Sequence, residues 1–147
     1  MISLNSEAKT YVSLSPVLSE IIYALGGEDN LLGVSSVCNY PNEIKEKEII
    51  GDTYFLNMEK MVKIKPNYIF SMNSNKPLLG QVSQLGIKAI YFDFNNLDDI
   101  YKNIEKIAKV IDKNKEGYEV INNLKNKIEN SKTKTPKKIF TLPKLTL

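Results

Sequence analysis

The chain has 147 residues, 42% hydrophobic and 25% charged, with a net charge of +3 at neutral pH. A chain of this size buries roughly 70% of its unfolded surface, which suits one folded unit with a real core and excludes a two-domain enzyme. Apolar residues recur along most of the length, which excludes disorder as the main state, and the single Cys38 excludes an internal disulfide framework.

The first ten residues are polar and lack the apolar core of a signal peptide. The apolar run 11–14 predicts a strand that ends at Ser15 and Pro16. Pro16 suits the first turn of a helix, with Ser15 as its N-cap. Val17, Leu18, Ile21, Ile22 and Leu25 follow at helical spacing until Gly26 and Gly27 stop the helix. Residues 31–35 form a second short strand, and a loop runs through 38–41. A short helix is expected over 41–47 and a brief extended piece over 48–51. Asn57 caps a helix carrying Met58, Met61, Val62 and Ile64, which ends before Pro66. Residues 68–71 read as a buried strand, 77–85 as a helix stopped by Gly86, and 88–92 as another strand. Strands alternating with helices predict an α/β fold with a three-layer parallel sheet.

From Leu97 the pattern changes. Ile100, Ile104, Ile107, Ala108 and Ile111 form one apolar stripe; Tyr118, Ile121, Leu124 and Ile128 form another, after a break expected at 114–117. Together they make about 30 helical residues, roughly 45 Å at 1.5 Å each, which reads as a strut leading away from the sheet. Residues 132–138 are polar and 139–142 read as one more strand. The chain thus divides into a lobe over 1–96, a long helix over 97–131 and a strand-bearing piece over 132–147. Charge divides with it: residues 1–94 hold 8 Lys against 10 acids, net −2, and residues 95–147 hold 12 Lys against 7 acids, net +5. The C-terminal lysines are interleaved with acids along helices and lack aromatic neighbours, which favours a solvated helix face over a nucleic-acid surface.

Composition also limits the chemistry. The chain has no His, which removes Ser–His–Asp and Cys–His catalysis and the commonest zinc ligand. It has no Arg, so bidentate recognition of phosphate or carboxylate is absent. The turn after the first strand has no glycine, unlike a dinucleotide fingerprint or a P-loop. Paired carboxylates are missing from the strand-end loops, where Asp52 has no acid partner and Glu20 lies inside a helix, so glycosidase chemistry is unsupported. Open parallel sheets bind ligands beyond the carboxyl ends of their strands. Those ends, 13–15, 35–40, 51–56 and 71–76, are rich in Ser, Asn, Tyr and Met, which suits a large, partly apolar ligand as well as ordinary polar loops. Tyr40, Tyr54, Met72 and Cys38 are chemically able to ligate iron or cobalt, but without a partner at fixed spacing each reads first as a contact or packing residue. Glu59 sits in the first turn of a helix, where the helix dipole favours any carboxylate.

The order of motifs is the most specific signal. Tyr11-Val-Ser-Leu-Ser-Pro16 runs into Leu18-Ser-Glu-Ile-Ile-Tyr-Ala-Leu-Gly26. There follow Leu32-Gly-Val-Ser-Ser36, Cys38-Asn-Tyr-Pro41, Ile50-Gly51, Asn57-Met-Glu-Lys60, Ile64-Lys-Pro-Asn67 and Gln84-Leu-Gly-Ile87. Over about residues 8–142 this series resembles the N-terminal lobe of the helical-backbone substrate-binding proteins of ABC importers, in their vitamin B12 and ferric-siderophore branch. The resemblance implies two Rossmann-like α/β lobes joined by one long helix, here 97–131, with ligand in the cleft between them. Residues 132–147 would hold the first strand of a second lobe that is otherwise missing from this sequence.

Carried over by position, the resemblance implies cleft-lining roles for Val37, Thr53, Tyr54, Met72 and Asn73, with Tyr40 nearby. It implies that Glu59 docks the lobe onto arginines of the membrane permease. The B12-binding relative is aromatic at several cleft positions where Val37, Thr53 and Met72 are not, a departure that bears on B12 as ligand. The absence of His separates the chain from the zinc and manganese branch. The implied partners are the permease and a metal-chelate ligand (a ferric siderophore, haem or a corrinoid), with no resident cofactor, no catalysis and no nucleic acid. The implied location is extracytoplasmic, and an exposed half-cleft would favour self-association. The alternative is a flavodoxin-like domain in which Ser13, Ser15 and Ser19 donate to the phosphate of a flavin or nucleotide.

Overall fold

The computed structural model describes residues 8–131. Five parallel strands form one sheet: β1 (Tyr11–Ser13), β2 (Leu31–Ser35), β3 (Glu48–Gly51), β4 (Tyr68–Met72) and β5 (Lys88–Phe92), in the order β3-β2-β1-β4-β5. The strands alternate between two cores, as a pleat of period two requires. Tyr11, Val34, Phe70, Ile90 and Phe92 point into one core, and Val12, Leu14, Ile50 and Ile69 into the other. Helices α1 (Pro16–Ala24), α3 (Leu97–Val110) and α4 (Asn114–Asn130) cover the first face; α2 (Met58–Ile64) and two 3-10 turns cover the second. The parallel three-layer α/β sheet expected from the sequence is present.

On the first face the rings of Tyr11, Phe70 and Phe92 form a row, with centroids 5.7 and 5.9 Å apart. Tyr11 donates its hydroxyl to the Gly27 carbonyl at 2.5 Å. Burial, reinforced by Glu28 and Asp29, pushes this phenol up to about 12. The bond ties the amino end of β1 to the exit of α1, where Gly26 adopts φ 76°. Ser15 occupies the N-cap position of α1, but its side chain makes no capping bond.

Two expected helices differ in kind. The segment expected as a helix over 77–85 forms two 3-10 helices, Asn73–Leu79 and Val82–Leu85. Pro77 falls inside the first of these helices rather than at a helix start, and Gly80 lies at the junction. The piece expected as a short helix over 41–47 is likewise 3-10, over Asn42–Glu46. The expected strand over 139–142 lies outside the described residues.

The strut over 97–131 is not one rod. Asn96 caps α3 by accepting the Asp99 amide at 2.9 Å, and the helix then runs back along β5. Asn103 reaches the Asp93 carbonyl at 2.7 Å and Lys106 the Tyr91 carbonyl at 3.1 Å. The chain turns at Asp112, φ 63°, two residues before the break expected at 114–117, and α4 returns antiparallel to α3. Ala108 meets Gly117 at the closed end of this hairpin, and Lys125 lies 5.0 Å from the Tyr101 ring centroid nearer its open end. Each helix is therefore about 20–25 Å long, and their apolar stripes face a shared core rather than extending end to end. Gly117, expected to help break the helix, instead permits this close approach.

A Cβ at position 117 would stand 2.6 Å from the Ala108 Cβ, which is fixed to backbone. Gly117→Ala should thus destabilise the fold by about 1–3 kcal/mol, although alanine is the better helix former. Urea unfolding of both proteins tests this; an alanine variant as stable as the parent would show that the helices are not in contact here.

Candidate functional site

All five strands point their carboxyl ends to one edge of the sheet, and the loops leaving them build a rim. The strand order reverses at β1, whose neighbours β2 and β4 are reached by crossovers on opposite faces. Such a reversal opens a crevice at the carboxyl edge.

Beneath this rim lies a sealed polar layer. Ser13, Ser15, Ser19, Ser35 and Ser71 are buried. Ser19 donates to Ser13 Oγ at 2.8 Å and contacts Cys38 Sγ at 3.3 Å; Ser13 Oγ also lies 3.2 Å from the Ser15 carbonyl. Ser35 Oγ accepts the Val37 amide at 3.2 Å, which shapes the β2 loop. The Ser13 and Ser19 hydroxyls expected to serve a phosphate in the flavin or nucleotide alternative are thus buried and bonded to each other. Cys38 belongs to the same layer, and burial pushes its thiol up despite the opposing hydrogen bonds from Ser19 and Ser35. It is a core residue, not a thiolate ligand at the surface. Among the described residues no three His, Cys, Asp or Glu side chains converge as a metal site.

Above that layer the rim is apolar and exposed. Val37 and Tyr40, in the β2 loop, are 43% and 42% exposed. Thr53 is exposed and Tyr54, in the β3 loop, is 87% exposed. Met72 and Asn73, at the end of β4, are half-buried, and Asn73 donates its side-chain amide to Asp93 at 2.5 Å. The structure thus places all six expected cleft residues on the carboxyl edge. The β2 and β3 loops are neighbours, and β4 stands across β1, so the set spans roughly 10–15 Å at 4.8 Å per strand.

Phe55 is a rim residue that the sequence reading missed; it is 58% exposed beside Tyr54. The turn that presents both rings is braced. Asp52 Oδ1 accepts the Tyr54 amide and the Asp52 amide donates to the Phe55 carbonyl, each at 2.8 Å. Gly51 and Leu56 close the turn as an antiparallel bridge, and a side chain at Gly51 would run into the Phe55 carbonyl. The sequence signal was Gly51-Asp52 followed by two adjacent aromatics, a turn that displays what comes after it.

Glu59 stands in the first turn of α2, which starts at this edge. Asn57 caps the helix by accepting the Lys60 amide at 3.0 Å. The Glu59 side chain is exposed, and Val62, one turn on, is 50% exposed. Lys60 turns away to Glu48, 2.7 Å distant, whose carboxyl it holds below the usual range through a hydrogen bond and its charge.

The burial of Cys38 has a direct consequence. At pH 8 the native protein should react with a thiol reagent at least about tenfold more slowly than the urea-unfolded chain, because the thiolate is disfavoured and shielded. Equal rates would place the thiol at the surface.

The Periplasmic binding protein family matches residues 12–147 of the chain. The chain is similar to the uncharacterized ABC transporter substrate-binding lipoprotein YvrC of Bacillus subtilis (strain 168), with 31% identity over 138 residues, 90% of this chain and 44% of that protein. It is similar to the vitamin B12-binding protein of Yersinia pestis (strain Pestoides F), with 33% identity over 104 residues, 69% of this chain and 37% of that protein. A crystal structure described as a possible iron-binding (periplasmic solute-binding) protein from Staphylococcus epidermidis ATCC 12228 aligns with a TM-score of 0.80 at 28% identity, covering 89% of this chain and 53% of that one. The chain therefore spans less than half the length of these two curated relatives.

Proposed function

The chain belongs to the periplasmic binding protein family, and on that basis we propose that it supplies one wall of a ligand cleft in an ABC import system. The ligand in this reading is a metal chelate: a ferric siderophore, haem or a corrinoid. The protein captures it outside the cytoplasm and hands it to the membrane permease without making or breaking a bond. The metal arrives with the ligand, so the protein needs no resident cofactor.

The observation that carries this reading is the exposed apolar rim. Val37, Tyr40, Tyr54 and Phe55 would waste large apolar surface if nothing covered them, and they sit together at the carboxyl edge of a parallel sheet. The backbone at Tyr54 and Phe55 is held by a closed turn, so little backbone entropy is lost when a ligand packs on their rings. Asn73, fixed by Asp93, offers polar contact at the opposite side, with Met72 beside it and Thr53 exposed next to Tyr54. Val37, Thr53 and Met72 leave fewer aromatic contacts than a wall built of rings, which favours a siderophore or another chelate over B12 itself.

Glu59 is assigned to docking. Its carboxylate is exposed at the same end of the lobe but on α2, outside the row of rim loops, where a membrane partner can reach it while ligand is bound.

The two roles separate in one experiment on the intact uptake system. Tyr54→Ala should weaken ligand affinity by about fivefold or more, the equivalent of about 1 kcal/mol of lost ring contact. Glu59→Ala should impair uptake by cells and leave the ligand Kd unchanged. If Glu59→Ala lowers affinity as much as uptake, the docking role is wrong; if Tyr54→Ala leaves affinity intact, the rim is not the ligand wall.

A further inference from the structure

The two outer strands of the sheet are closed in different ways. Beyond β3 the chain seals its own edge with backbone: Gly51 bridges Leu56, and the Asn57 amide donates to the Ile50 carbonyl at 2.8 Å. Lys60 adds a side-chain donor to the Ile49 carbonyl at 2.9 Å and pairs with Glu48. At β5 the closure is made by side chains. The Lys88 amide donates to the Asn67 carbonyl at 3.0 Å, so Lys88, Ile90 and Phe92 bond toward β4. Ala89 and Tyr91 therefore turn their backbone groups outward, as the alternation along a parallel strand requires. The outward Tyr91 carbonyl accepts from Lys106 Nζ at 3.1 Å, and just past the strand the Asp93 carbonyl accepts from Asn103 Nδ2 at 2.7 Å. Both donors come from α3.

Positive charge gathers at the same place. Lys76 Nζ lies 5.1 Å from the Tyr91 ring centroid and Lys106 Nζ 4.5 Å from that of Phe92. Those two rings pack against opposite cores, so lysines flank the edge on both faces of the sheet. Lys88 is exposed on the strand itself. A row of outward N–H and C=O groups is a template for another strand, and lysine is a common device for blunting it.

We propose that Asn103 and Lys106 guard the β5 edge against a second copy of this chain, whose own β5 would otherwise pair with it antiparallel about a two-fold axis. In that pairing each copy offers the outward groups of Ala89 and Tyr91 to the other. The guard acts in two ways. Lys106 occupies the Tyr91 carbonyl that the incoming strand needs, and Lys76, Lys88 and Lys106 of one copy meet the same charges on the other. The β3 edge needs no such guard over 49–51, because the chain's own backbone covers it. The guarded edge ends at Asp93, which fixes Asn73, so the guard also keeps strand pairing away from that side of the rim.

The test compares the 147-residue chain with three variants by sedimentation velocity and backbone-amide hydrogen exchange. Lys106→Met keeps the aliphatic stem and removes the donor and charge; Asn103→Ala is added to it in a double variant; Lys106→Arg keeps both donor and charge. At about 200 μM the double variant should reach about twice the parent's weight-average mass, with Lys106→Met in between and Lys106→Arg at the parent value. The Ala89 and Tyr91 amides should gain at least about tenfold protection in the associated variants. In the parent the same two amides should exchange at least about tenfold faster than those of Ile90 and Phe92, whatever the concentration. Parent protection at Ala89 and Tyr91 that grows with concentration would mean an edge already paired, and overturns the proposal without any variant. Lys106→Met and the double variant both remaining at parent mass overturn it as well. So does association that leaves Ala89 and Tyr91 unprotected, which runs through another surface, or Lys106→Arg associating as Lys106→Met does. Lys106 is exposed, so its single variants carry the test even if the double variant does not fold.

Discussion

A parallel ladder obliges the chain to travel back to the amino end before each new strand can start. Here that constraint operates four times, since all four strand pairings are parallel. It sends every loop that leaves a strand to one edge and every returning segment to the other. The consequences follow from there. The returning helices must cover both faces, which buries most of the central strands β1, β2 and β4 and leaves exposed residues only on the edge strands β3 and β5. The departing loops share one edge, and the reversal of strand order at β1 sends neighbouring loops to opposite faces. An exposed aromatic rim above a buried serine layer is the outcome of sheet topology combined with a few local turns.

The two edges of the sheet are built for different purposes. At the amino edge, Tyr11, Gly27 and Ile111 meet in a tight junction: a Cβ on Gly27 would lie 2.7 Å from the Ile111 Cδ1 and 2.8 Å from the Tyr11 hydroxyl oxygen. This locks β1, the exit of α1 and the corner of the helical hairpin together. At the carboxyl edge, polar groups satisfy one another within short turns and leave rings facing outward. Rigidity comes from the amino edge and the adjoining cores, and the carboxyl edge is free to differ in sequence without disturbing them.

Much of this was legible in the sequence because the signals are local. Strands 31–35, 68–71 and 88–92 are short apolar runs bounded by Gly, Pro or polar residues, and the structure has strands there. Asn57 before Met58, and Pro66 after it, set the limits of α2. The six positions expected to line a cleft and Glu59 fall on one edge because motif order carries topology with it. The errors arose where local signals have two solutions. Pro77 is compatible with the start of an α-helix or with a 3-10 segment, and packing chose the latter. Apolar stripes at 100–111 and 118–128 fit one long rod or two helices folded face to face; periodicity is the same in both. Gly117 signals either a break or a close approach, and only the position of Ala108 decides. Phe55 was missed because exposure of a large apolar side chain depends on a turn whose closure involves Gly51, Asp52 and Leu56 together.

The helical hairpin also fixes where the chain goes next. Helix α3 leaves the rim and descends along β5, and α4 climbs back beside it, with Lys125 level with Tyr101. The described chain therefore ends at Ser131 close to the mouth of the site, not at its base. A second wall joined through this point would start on the side of the sheet where the rim loops lie. Encounter between the two would then be governed by an effective concentration set by a short covalent tether, far above what free diffusion of separate halves provides. Closure around a ligand would then be an intramolecular event, and the fold-back of α4 sets the level from which the second wall would start.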